Sequence, residues 1–108
     1  ALLEPALDPG AAEAQHDLRI AAKRLRYVLE IAGSCIGEEA TTARRAAREL
    51  QGVLGEIHDC DVMLPRAAGI DALQALLRTH RALLFRRFNE LAQAQTSEGV
   101  WAALERSL

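Results

Sequence analysis

His16, Arg19, Lys23, Arg26, Tyr27 and Glu30 follow one another at intervals of one, three and four residues. An α-helix turns roughly 100° per residue, so these six fall within an arc of about 100°. One stripe therefore carries three cations, a histidine and a phenol. Solvated helix faces usually mix Glu with Lys at i,i+4, which supports the helix. Here Arg19, Lys23 and Arg26 stack like charges, and their repulsion is relieved where an anion bridges them. A guanidinium grips phosphate or carboxylate oxygens in pairs, which an ammonium cannot do. The competing reading is a plain solvated face. His16 has two readings as well, a structural hydrogen bond or a ligand contact whose charge depends on pH.

A second set repeats the idea. Arg44, Arg48, Gly55 and Asp59 share one stripe, with Gln51 and His58 at one edge and Gly52 at the other. Asp59 is expected to accept hydrogen bonds from arginines and hold their planes. Asp61 falls nearer the apolar side and suits a buried hydrogen bond to a neighbouring helix. Glycine inside a helix costs about 1 kcal/mol relative to alanine. Close helix packing would explain Gly52 and Gly55, and so would room for a ligand along the polar groove.

The elements that must position these residues are helical. Alanine and leucine abound, β-branched residues are few, and no stretch alternates with period two. Ala1–Gly10, with Pro5, Pro9 and Gly10, reads as a leader or linker. The pattern predicts a first helix from about Ala11 to Ala32, ended by Gly33-Ser34 and Gly37. A second runs from Thr41 or Thr42 to about Leu64, ahead of Pro65 and Gly69. A third runs from Asp71 to about Gln95. Thr96 or Ser97 should cap a short fourth carrying Trp101 and Leu104. Residues 11–108 thus make one all-α, antiparallel four-helix bundle of three long helices and a short fourth.

Composition limits the partners. The 108 residues hold 13 Lys+Arg against 15 Asp+Glu, a net charge of −2. That excludes a protein basic overall, such as a histone-like coat, but not a basic face. Every cation except Lys23 is arginine, which follows either from a GC-rich genome or from anion binding. Half of the residues are hydrophobic and 4% aromatic, the balance of one folded domain. No apolar run approaches the roughly 20 residues of a membrane span. No basic region precedes an apolar segment at the start, so no signal peptide is expected. Cys35 and Cys60 lack metal-ligand spacing and read as buried thiols in a reducing cytoplasm.

Two strings carry a resemblance. His16-Asp17-Leu18-Arg19-Ile20-Ala21-Ala22-Lys23-Arg24-Leu25-Arg26-Tyr27-Val28-Leu29-Glu30 resembles the first signature of the CHAD family, the conserved histidine α-helical domain. Leu50-Gln51-Gly52-Val53-Leu54-Gly55-Glu56-Ile57-His58-Asp59-Cys60-Asp61-Val62 resembles its second-helix motif. With their flanks they cover about Ala11–Arg66. The resemblance implies a helical domain that binds inorganic polyphosphate on a basic surface, at polyphosphate granules in the cytoplasm or beside a CYTH-type triphosphate-tunnel domain in the same chain. The family fold pairs two similar four-helix bundles, whereas 108 residues hold one, most like the C-terminal half. A homodimer is therefore expected. Carried over, the contacts are His16, Arg19, Lys23, Arg26 and Tyr27, with Arg44 and Arg48 from the second helix. Arg78 and Arg81 on the third helix add to the surface, and Glu30 and Asp59 support the arginines. Arg86 and Arg87 point elsewhere, as solvated or interfacial residues.

Enzyme readings are thin. His58-Asp59 lacks the further histidines of a metal-dependent phosphohydrolase, and no glycine loop cradles phosphate. Neither cysteine has a catalytic setting, so no catalytic residue, metal or cofactor is expected. The main alternative is a helical adaptor whose basic face meets an acidic protein or nucleic acid.

Overall fold

The computed structural model describes residues 3–107, apart from the side chains of 32–36 and 107. Its helices are α1 (Leu3–Ala6), α2 (Ala12–Ile36), α3 (Glu38–Arg66), α4 (Asp71–Ser97) and α5 (Val100–Ser107). The chain is all-α, with three long helices and a short C-terminal one.

The breaks differ from the sequence pattern in an instructive way. Gly33-Ser34 does not end the first long helix, which continues to Ile36. Gly37 ends it, at φ 99° and ψ −151°, a left-handed conformation that strains any residue with a Cβ. The next helix starts at once, three residues ahead of Thr41, because Glu38 and Glu39 suit the positive end of its dipole. Gly69 (φ 86°) and Gly99 (φ 71°) turn the chain before α4 and α5. Thr96 is no cap: its hydroxyl donates back to the Ala92 carbonyl at 2.9 Å, inside α4.

The packing centres on α3, with α2 on one flank and α4 on the other, in a body of 53 × 25 × 18 Å. Both neighbours run antiparallel to it. Leu18 of α2, Leu50, Leu54 and Ile57 of α3, and Leu84 and Phe88 of α4 form the main core. At the other end Ala40, Ala43 and Ala46 give α3 a smooth face, on which Leu29 of α2 and Val100 and Leu104 of α5 pack. Gln95 of α4 anchors there by donating to the Ala46 carbonyl at 3.0 Å. Among the described residues no helix is long and apolar enough to cross a membrane.

The opening segment, read as a leader or linker, contributes to this core. Ala6 is fully buried, and Leu3 and Leu7 pack on the main cluster. Buried Gln15 donates to the Ala6 carbonyl at 3.3 Å and the Asp8 carbonyl at 2.9 Å. Its own oxygen accepts from Arg81 Nη2 at 2.7 Å, while Arg81 Nη1 donates to the Pro9 carbonyl at 2.8 Å. The same guanidinium makes a fork with Asp61, through Nε to Oδ1 and through Nη2 to Oδ2. Asp61 thus makes the hydrogen bond to a neighbouring helix that the pattern suggests. Arg81, expected among the ligand contacts, is spent on the fold, because it lies on the α3-facing side of α4. Cys60, next to Asp61, is also buried; the Cys35 side chain lies outside the described residues.

Replacing Arg81 by methionine leaves the half-buried Asp61 carboxylate and the buried Gln15 oxygen without their donor. That should cost about 2–3 kcal/mol of stability, read as a lower urea midpoint. An unchanged midpoint would mean that this knot does not hold the four segments together.

Candidate functional site

The groove between α2 and α3 follows from their antiparallel register. His16 meets His58 near one end, Arg26 meets Gln51 further along, and Glu30 meets Arg48 beyond that. On α3, Gly52 and Gly55 lie about 160° and 100° round the helix from buried Leu54, so they face the groove. It has a volume of about 510 Å³ and is lined by Arg19, Arg26, Arg48, Gln51, Gly52, Gly55, Glu56 and Asp59.

Each arginine is held differently. Arg26 Nε donates to Gln51 Oε1 at 2.9 Å and its Nη1 to Glu30 Oε1 at 3.2 Å, while its guanidinium lies 4.7 Å from the Tyr27 ring centre. Three contacts fix one plane. Arg48 reaches the same Glu30 oxygen only at 3.8 Å, with its side chain 65% exposed, so it is free to swing. Arg19 lies across α3 where a Cβ on Gly55 would sit 3.5 Å from its Nε. That Nε is buried and has no hydrogen-bond partner. His16 stacks on His58 with ring centres 4.6 Å apart and planes 24° apart, and its buried Nδ1 also has no partner. A buried polar atom left unpaired is costly, and both atoms lie on the α2–α3 side of the molecule.

The other expected residues scatter. Lys23 and Tyr27 are exposed on the outer side of α2, the Lys23 nitrogen 5.9 Å from the Tyr27 ring centre. Arg44 is half-buried further along the same seam, where it shares a smaller recess with Glu30. Arg78 is exposed on α4 and lines neither of these hollows. Of the two carboxylates, Glu30 pairs with Arg26 and Arg48. Asp59 lines the groove, yet none of the three ion pairs among the described residues includes it.

Gly52 separates the two readings of the glycines. A Cβ there meets nothing within 4 Å, so close packing does not account for this residue. It lines both the α2–α3 groove and a second cleft of about 770 Å³ between α3 and α4, which Arg48, Glu56 and Arg87 also line. Arg87, expected to be solvated or interfacial, is exposed and lines this cleft, a place that its angle on α4 alone does not show. Among the described residues no group of three or more His, Cys, Asp and Glu could hold a metal ion. Burial above all, and next the Asp61 carboxylate, push the Cys60 thiol up, against the pull of Arg81.

Residues 1–68, which hold α1, α2 and α3, match the family model of the CHAD domain. The chain belongs to the CHAD-domain family. No curated protein and no solved structure matches it. The match contains both walls of the arginine groove, whereas α4 and α5 of this CHAD chain lie beyond it.

Because Gly52 faces open space, Gly52→Ala should stabilise the CHAD chain by about 1 kcal/mol, seen as a raised Tm. Gly37→Ala should lower it, since alanine at φ 99° is strained. A Tm drop for Gly52→Ala would show that the helix needs that glycine for packing.

Proposed function

We propose that this CHAD chain is a binding module for inorganic polyphosphate and catalyses no reaction of its own. The observation that carries the reading is the convergence of Arg19 and Arg26 from α2 with Arg48 from α3 over two glycines. Arg26 is held in plane, Arg48 is free to close on a ligand, and Arg19 has a buried donor without a partner. Phosphoryl oxygens accept such charge-assisted bonds, which are roughly twice as strong as neutral ones. The net charge of −2 makes this local cluster, and not the whole molecule, the source of attraction. Binding should release counterions and weaken with salt. Tyr27, the aromatic stacked with Arg26, is not among the residues that line the groove, which disfavours stacking of nucleic-acid bases there. With this ligand the protein belongs in the cytoplasm at polyphosphate granules, alone or beside a CYTH-type domain.

Filter binding of long-chain polyphosphate and duplex DNA at matched charge and salt tests the ligand. Polyphosphate should bind at least about tenfold more tightly, and equal or tighter DNA binding would favour the adaptor. Joint replacement of Arg19, Arg26 and Arg48 by glutamine should cost on the order of tenfold or more. The same change at Arg24, Arg86 and Arg106 should cost far less; equal losses would overturn the site.

The homodimer is proposed from surface area. The chain exposes 6880 Å², whereas a compact monomer of 11.8 kDa exposes about 5,900 Å². The excess is close to the roughly 800 Å² per partner of a standard interface. The surface also holds an apolar cleft lined by Leu3, Leu18, Leu25, Leu50 and Trp101. Sedimentation over a concentration series should reveal twice the chain mass, and a monomer at high concentration would overturn the pairing.

A further inference from the structure

The second cleft bears on how a long ligand would lie. It is lined by α3 and α4, and it shares Arg48, Gly52 and Glu56 with the arginine groove. The ridge that would divide the two hollows is the exposed face of α3. At Gly52 that ridge has no side chain, and nothing lies within 4 Å of where a Cβ would be. The two hollows thus share a border at Arg48, Gly52 and Glu56, and at Gly52 no side chain stands between them. On the far side stands Arg87, exposed and absent from the three ion pairs among the described residues. Arg48 stands at the shared border with its side chain 65% exposed, able to turn toward either hollow.

We propose that Arg87 is a further binding residue, and that a bound polyanion crosses α3 over Gly52 from the α2–α3 arginines to α4. The inference rests on the polyphosphate reading and adds a path and a length requirement to it. A ligand confined to the α2–α3 groove meets Arg19, Arg26 and Arg48. A ligand long enough to pass over a helix, about 10 Å wide, also gains Arg87. Glu49, Glu56 and Glu90 border the second cleft, and their charge opposes an anion there. The crossing is accordingly the weaker part of the path and separates long chains from short ones. Glu90 lines this cleft and not the first, so it offers a counterpart to Arg87 of opposite sign.

Four proteins should be titrated with long-chain polyphosphate and with inorganic triphosphate at several salt concentrations: wild type, Arg87→Gln, Glu90→Gln and Arg86→Gln. Arg86 is exposed on the same helix and lines neither hollow. Arg87→Gln should weaken long-chain binding about fivefold and lower the slope of log K against log salt by about one. Triphosphate binding should stay unchanged. Glu90→Gln should tighten long-chain binding and leave triphosphate alone, and effects of opposite sign exclude a general loss of structure. Arg86→Gln should match wild type. Wild type that binds long-chain polyphosphate while Arg87→Gln and Glu90→Gln behave like Arg86→Gln would overturn the crossing alone. Wild type that binds no polyphosphate would overturn the ligand and the crossing together.

Discussion

Gly37 reverses the chain between α2 and α3 with no other residue between them, at φ 99°. Because the link is one residue long, the two helices have no freedom to slide. Their register is fixed from that end, and every contact across the groove follows from it. Glu30 reaches Arg48, Arg26 reaches Gln51, and His16 stacks on His58 far from the turn. A longer linker would permit other registers in which the two motifs still form helices but their polar stripes no longer face. The glycine is thus a constraint on the site as much as on the fold.

The groove is not simply basic. Three arginines line it together with Glu56 and Asp59, and Glu30 already bridges Arg26 and Arg48. In an exposed setting such pairs contribute little, so their rearrangement costs little. Glu30 occupies the place between two guanidiniums from two helices that an anionic oxygen would take. It relieves the repulsion between these two like charges. Local geometry of this kind gathers three arginines on one groove of a chain whose net charge is −2.

Arg81 has the opposite fate. Asp61, Gln15 and the Pro9 carbonyl take up its guanidinium, joining α4 to α3, α2 and the opening segment. Four of its five N–H donors are used inside the fold, so it has much to lose if a partner is removed. The two uses of arginine in this small domain are thus separated by the α3 helix. One set lies on its exposed glycine side, and the other lies on its packed side.

Much of this was legible in the sequence. Helical periodicity and the glycine and proline breaks indicate an all-α bundle, and the polar stripes of the two motifs lie on the helices and mostly on the faces expected. Asp61 was readable as the partner of a neighbouring helix from its angle alone. Other features were not legible, for one physical reason: a helical wheel orders residues around their own axis and is silent on how one axis is rotated against another. Arg78 and Arg81 look alike on α4, yet one is exposed and the other is knotted to Asp61. Lys23 and Tyr27 share a stripe with Arg19 and Arg26, yet α3 covers only one edge of it. Arg87 lines the second cleft, and Gly52 faces open space and not a packing contact, only because α4 settles against α3 in that rotation. The opening segment joins the core because Gln15 and Arg81, distant in sequence, meet its carbonyls. The sequence determined which residues lie on each helix face; the packing of α2 and α4 on α3 decided which faces meet a neighbour and which remain open to a ligand.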